Sequence, residues 1–385
     1  MTQSKEIHWI RLGEFIHQLD NRNKDNSLSE KDVRGISVDK IFTHTKANLD
    51  GVSLTSYKIV PPKGFAYVPD TSRRGNKIAL AFNDSEQSYL ISSIYTSFCI
   101  FTNTIIPEYL YIWFARGDFN RYARFHSWGS ARETLYWEIF CDIKIPIPYK
   151  DGEPDIEQQQ DVVNIWQGLR RLKEENEAIA QPLLELCQAK MDELKQSAPM
   201  VELGEYIEQH DVRNTDNNLN IESVRGLATS KEIISTKANM EGVSLTSYKI
   251  MRPLDIAYVA DTSRRGDKVS LAHNQSTDCY LLSSISTVFT SSDFDEFDPT
   301  YLFLWFCRPE FDRYARFNSW GSARETFSWT EMCRVKVPKP SIDVQRAIVD
   351  IYHCARRAKT IAEEADQQLK SICPALMQYI IHSAV

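Results

Sequence analysis

Residues 12–148 of the chain recur as residues 203–340, and no other feature of the sequence restricts the possible folds as much. LGEFI is matched by LGEYI, TKAN by TKAN, GVSLTSYKI by GVSLTSYKI, AYVPDTSRRG by AYVADTSRRG, YLISSI by YLLSSI, and RYARFHSWGSARET by RYARFNSWGSARET. The offset is 191 residues up to Ile285 and 192 from Pro299, so one residue separates the copies near SSDFDEFD. A repeat of about 140 residues is the size of a domain. So long a period excludes solenoids and propellers, whose repeats run to about 20–50 residues. The chain is therefore expected to fold as two copies of one domain plus the segments that follow them.

Those segments read as helices. From about Asp155 to Gln196, the apolar residues Ile165, Leu169, Leu172, Ile179, Leu183 and Leu186 keep an alternating four-three spacing with Asn176 in the one polar slot, the seam pattern of a coiled coil. A helix of about 40 residues spans roughly 60 Å and needs a partner along its length. The sequence supplies one in Val344, Ile348, Ile351, Ala355, Ala358, Ala362, Ala365, Leu369, Ile372 and Leu376, which keep the same spacing; the central alanines allow close approach of two axes. The expected arrangement is an antiparallel intramolecular pair, the alternative being two amphipathic helices each lying on its own domain. Pro182 and Pro374 are expected to kink or interrupt the ends of these helices. The boundaries implied are 1–150 and 198–340 for the two domains, with 151–197 and 341–385 for the helices.

With 385 residues and 42% hydrophobic content, the chain can bury more than one core. The net charge of −7 argues against a nucleic-acid binder until it is located. Residues 151–197 hold eleven acidic and five basic residues, whereas residues 1–150 hold nineteen basic and sixteen acidic ones. Basic loops on the domains therefore remain available for phosphate contacts. No run approaches the roughly 18–20 apolar residues of a membrane span, and MTQSKEIHWIRLGEF lacks the apolar core of a signal peptide, so a cytoplasmic location is expected. The eight cysteines form no CxxC pair and no zinc spacing. They read as reduced packing residues.

Within each copy, GVSLTSYKI, FAYV or IAYV, and KIALAF or KVSLAH read as short strands. A helix opening at Pro107 follows, with Tyr109, Ile112, Trp113, Phe119, Tyr122 and Ala123 at helical spacing as core; Tyr301, Leu304, Trp305, Phe311, Tyr314 and Ala315 are the counterparts. A loop, SWGSARET, leads to a return strand, IKIPIP or VKVPKP, whose prolines are expected to mark the turn into the long helix. The fold class is α/β: two repeated domains separated by two long antiparallel coiled-coil helices with pseudo-two-fold symmetry.

Motifs for catalysis are missing. There is no GxGxxG, phosphate loop, HExxH, GxSxG, or Asn/Asp-Pro-Pro-Tyr/Phe segment, and no histidine is retained in both copies at a site that would suit a catalyst. What remains suits recognition. Arg73, Arg74 and Lys77, with Thr71 and Ser72, form one loop; Arg264, Arg265 and Lys268, with Thr262 and Ser263, form its repeat. Guanidinium groups on such a turn can fork onto phosphate oxygens or guanine edges. Ser127, Trp128, Gly129, Ser130 and Arg132, repeated as Ser319, Trp320, Gly321, Ser322 and Arg324, form a second loop whose small residues permit close approach to a phosphate chain. The competing reading is a solvated Arg-Arg-Gly turn salt-bridged to Asp70 and Asp261.

Taken together, the LGE openings, the YKI, FAYV, RRG and KIALA stretches, the GSAR loops and the Pro-rich exits IPIP…EQQQDVV and VPKPSIDVQRAIV resemble the DNA-specificity subunits of type I restriction-modification systems. The resemblance covers essentially the whole chain. It implies two target-recognition domains that bind double-stranded DNA, no catalysis by this subunit, and no cofactor of its own. Two modification subunits would carry S-adenosylmethionine and methylate adenine at N6, motor-nuclease restriction subunits would join them, and the long helices would space the domains and dock the partners. That family usually pairs two very different domains. Here they are close relatives, from which a palindromic or nearly palindromic bipartite target is expected. A structural adaptor that binds protein and no DNA is the alternative.

Overall fold

A computed structural model describes residues 5–382, apart from 73–76, 131, 237, 263–267 and 323. The chain divides into two compact units, residues 1–175 with 361–385, and residues 176–360. Both are mixed α/β, and the secondary structure repeats as the sequence does. The helices are α1 (Pro107–Phe114), α2 (Gly117–Phe125), α3 (Trp137–Cys141), α4 (Ile156–Ser197), α5 (Pro299–Phe306), α6 (Pro309–Phe317), α7 (Trp329–Cys333) and α8 (Ile342–His382).

The first unit is centred on a four-stranded antiparallel sheet in the order Ile16–Leu19, Thr96–Ile100, Phe65–Tyr67, Leu80–Phe82. Its register sets Phe65 opposite both Phe98 and Phe82, and α1 and α2 close over the aromatic face. Phe65, Tyr67, Phe98, Tyr109, Phe114 and Phe140 are fully buried there. Phe65 stacks on Phe98 at 5.1 Å and Tyr67 on Phe140 at 4.7 Å; offset aromatic pairs of this kind add about 0.5–1.5 kcal/mol each beyond burial. Val162, Val163 and Trp166 of α4 and Cys373, Leu376, Met377 and Ile380 of α8 complete this core, and Lys173 meets Asp366 at 2.6 Å.

In the second unit the sheet runs Ile207–His210, Ser286–Ser291, Ile256–Val259, Leu271–His273. Its core holds Tyr258, Phe289, Phe297, Tyr301 and Phe306, joined by Cys187 and Met191 of α4 and Ile348, Val349 and Tyr352 of α8.

Several details depart from the sequence reading. GVSLTS does not extend; it makes a loop and a short 3-10 turn, leaving Lys58–Val60 as the strand, paired with Tyr89–Ile91. The segment from Pro107 to Phe125 is two helices, because Arg116 takes an extended backbone between them. In the repeat Pro309 stands where Gly117 does, and a proline forces its predecessor out of helical geometry. Pro146 and Pro148 lie inside the strand Lys144–Lys150, opposite Trp9 and Ile7. They face no second strand there, so their missing N–H groups cost the ladder nothing, and the Pro146 carbonyl accepts the Tyr109 hydroxyl at 2.8 Å. Pro182 and Pro374 lie within continuous helices.

On α4 the buried line differs from the expected seam. Ile165, Leu172 and Ile179, read as pairing residues, are exposed, as is Leu186; Leu169 and Leu183 are half-buried. Trp166, Ala180 and Cys187 are buried in their place, one residue later. The helix packs against a domain core as well as another helix, and Trp166 fills more of that core than Ile165 could. On α8, Ile348, Ala355, Ala358 and Ala362 are buried, and Ile351, Leu369 and Ile372 half-buried. No helix among the described residues is long and apolar enough to cross a membrane.

Candidate nucleic-acid interface

The two loops singled out by the sequence lie against each other in each unit. The Thr71 N–H donates to the Glu133 carbonyl at 2.9 Å and its hydroxyl to the same oxygen at 3.1 Å, while the Leu135 N–H reaches the Pro69 carbonyl at 2.9 Å. In the repeat, Thr262 makes the same pair of bonds to Glu325 at 3.0 and 3.2 Å, and the Phe327 N–H reaches Ala260 at 2.8 Å.

The second loop closes on itself. Trp128 and Thr134 exchange backbone hydrogen bonds of 3.1 and 2.9 Å, and Trp320 and Thr326 do so at 3.2 and 3.0 Å. The turn between them requires glycine. Gly129 has φ 146°, and a Cβ there would sit 2.0 Å from the Arg132 carbonyl oxygen; Gly321 at φ 145° has the same clash with Arg324. Arg124 pairs with Glu133, and Arg316 with Glu325, tying the end of the preceding helix to the loop.

This geometry sorts the candidate residues. Thr71 and Thr262 are buried, and their hydroxyls are used within the fold. Ser127 and Ser319 are also buried, each donating to a helix carbonyl, Ala123 or Ala315, at 2.6 Å. Within the fold these four, singled out from the sequence as DNA-contacting residues, hold the loops. Ser72 is exposed and bonded to Asp70 at 2.6 Å. Lys77, Trp128, Gly129, Ser130 and Arg132 are exposed, as are Lys268, Trp320, Gly321, Ser322 and Arg324. Arg73, Arg74, Ser263, Arg264 and Arg265 lie outside the described residues.

Two features of the site escaped the sequence reading. Phe125 and Phe317, at the ends of α2 and α6, are 75% and 81% exposed. A buried lysine also anchors the far end of the first loop. Lys40, in a left-handed backbone conformation (φ 66°), donates to the Ile78 carbonyl at 2.7 Å and to Asn120 Oδ1 at 2.6 Å. Burial, with the Lys77 charge nearby, pushes its pKa down to about 7. In the second unit Lys231 bonds the Val269 carbonyl at 2.9 Å and pairs with Asp312 at 2.6 Å. Each residue is unremarkable in sequence until the fold brings them together across about 40 and 80 positions.

Among the described residues no group of His, Cys, Asp and Glu could hold a metal ion. No family model matches the sequence, and no curated protein matches it. Solved structures do resemble the chain. The S subunit of a type I restriction-modification system from M. genitalium has a TM-score of 0.54 at 12% identity, over 97% of this chain and 96% of that one. The HsdS subunit from Thermoanaerobacter tengcongensis has 0.40 at 15%, over 98% and 97%. A chain from a study of complex assembly and conformational transition in the type I R-M system has 0.39 at 15%, over 98% and 97%. The likeness to the first is one of fold.

Proposed function

We propose that this chain is the non-catalytic DNA-specificity subunit of a type I restriction-modification enzyme. The observation that carries the reading is the pinned two-loop surface, built twice from the same residues, that holds Arg132, Lys77 and Trp128 or their counterparts exposed around a glycine turn. It stands on a fold shared with a solved type I S subunit. Exposed arginines beside a close-approach turn suit phosphate contact, which sets register, and guanine edges, which set sequence.

Under this reading α4 and α8 form an antiparallel coiled coil that spaces the two recognition domains about a pseudo-two-fold axis. Each domain reads one half of a bipartite target, and since the domains are close relatives the halves are similar and inverted. Exposed Ile165 and Leu172 in the first unit, and Ile179 and Leu186 in the second, recur every seven residues along α4 and provide apolar positions for docking modification subunits. Those subunits bind S-adenosylmethionine and methylate adenine, and restriction subunits complete the enzyme. The same positions favour the second reading, an adaptor that binds protein without DNA.

Electrophoretic shift of duplex DNA by the full chain with its methyltransferase subunits, over a salt series, separates the two. The DNA reading expects affinity to fall linearly on a log–log plot, with a slope of about −0.9 for each phosphate neutralised. Capture of the methyltransferase subunits with no retention of DNA at low salt would leave the adaptor.

A further inference from the structure

We propose that Phe125 with Trp128, and Phe317 with Trp320, are stacking wedges that unstack a base step of the duplex on which each unit docks. This inference rests on the DNA-binding reading and adds to it a deformation of the DNA. Single exposed apolar side chains are ordinary on any protein surface. Here a Phe that is 75% or 81% exposed and a Trp that is 60% or 67% exposed stand three residues apart at the same turn, in both units. Between them the copies have drifted from His126 to Asn318, yet both aromatic positions are kept.

The backbone that carries the aromatics is pinned. Phe125 is the last residue of α2, and Ser127 ties the next turn back to the Ala123 carbonyl at 2.6 Å. Trp128 is fixed by its two-bond bridge to Thr134 across Gly129. The main chain under both rings is thus ordered before DNA arrives, so insertion has only the side-chain rotamers left to order. The surroundings suit a polyanion. Arg132 and Arg324 are exposed on the glycine turns that follow the tryptophans, and Arg121 and Arg313, one helical turn before the phenylalanines, are exposed with ion pairs to Asp118 and Glu310; guanidinium groups so placed suit the phosphates that flank a base step.

Apolar wedges inserted between base steps unstack and kink a duplex, and stacking on an aromatic face tolerates any base. The wedge would therefore strengthen binding without choosing sequence. It would also lower the cost to a partner of extruding a neighbouring base for modification.

The test uses the full chain with its methyltransferase subunits and a random-sequence duplex of about 40 base pairs probed with permanganate, which oxidises unstacked thymines. The wild type is expected to bind and to raise thymine reactivity. The variant carrying Phe125→Ala, Trp128→Ala, Phe317→Ala and Trp320→Ala is expected to bind roughly tenfold more weakly or worse, to keep the same salt slope, and to lose the permanganate signal. All four side chains are exposed, so its circular dichroism should match the wild type. Trp128→Phe with Trp320→Phe keeps the aromatic faces and should keep the signal.

Wild-type binding without enhanced thymine reactivity overturns the wedge while leaving DNA binding intact. So does an Ala variant that binds and unstacks like the wild type, or one that loses only the methyltransferase subunits in a pull-down. If the wild type leaves the duplex unbound at low salt, the DNA-binding reading fails first and the wedge fails with it.

Discussion

At the residue scale, the duplication supplies its own controls, because many positions can be compared with a second solution to the same packing problem. Phe82 and His273 occupy equivalent places at the end of a core strand, and both are buried. Neither ring nitrogen of His273 has a hydrogen-bond partner. Burial, with the charge of His353 nearby, pushes its pKa down to about 3, far below the value of about 6.5 in an unfolded chain. The unfolded state then binds the proton more readily. Above about pH 6.5 only the two unpartnered ring nitrogens weigh against the fold, and stability falls further as pH drops from there toward about 3. His273→Phe should therefore raise stability by about 2 kcal/mol near pH 5 and by less near pH 7.5. Thermal melts at the two pH values check this; an equal gain at both would show that titration of His273 is not responsible. The histidine was visible in the sequence, but nothing there showed that its nitrogens would be walled in.

At the element scale, the most specific sequence signal, the Pro-rich exit into each long helix, has a physical basis in one glutamine. Gln159, in the first turns of α4, is fully buried; its Oε1 accepts the Ile106 N–H at 3.0 Å and its amide donates to the Thr104 carbonyl at 3.0 Å. Gln345 in α8 does the same for the Asp298 N–H at 3.0 Å and the Glu296 carbonyl at 2.9 Å. Each glutamine thus satisfies the chain just before α1 or α5, where no secondary structure does. Gln159→Leu should lower the unfolding free energy by about 2–4 kcal/mol, since it leaves two buried backbone groups unmet. Chemical denaturation would read the change, and a loss under about 0.5 kcal/mol would mean that water or a rearranged loop takes over. Helix periodicity was legible in the sequence, but which of two adjacent stripes would be buried was not. Ile165 and Trp166 fit the same amphipathic pattern, and only the shape of the domain core decides between them.

At the scale of the whole molecule, two closely related units make the proposed target the most distinctive expectation. If an antiparallel helix pair relates them, mapping of N6-methyladenine across a genome carrying this gene and its methyltransferase partner should return a bipartite motif whose halves are inverted relatives of each other. Two unrelated half-sites would rule out equivalent reading by the two units. Leu169 and Leu183 stay half-buried along α4, so polar replacements there should disturb assembly before either sheet.

The sequence by itself determined that there are two copies of one α/β domain, that a long helix follows each, and which two loops carry arginine and glycine together. These are properties of local composition, period and repetition, which need no knowledge of distant neighbours. Only the tertiary structure decided what each loop residue does. It turned Thr71 and Ser127 inward as fasteners, left Phe125 and Trp128 outside, and set Lys40 beneath the loop. The reason is that a hydroxyl or an aromatic ring suits either a core or a surface. Its role is fixed by the carbonyls and walls that the fold brings to it from elsewhere in the chain.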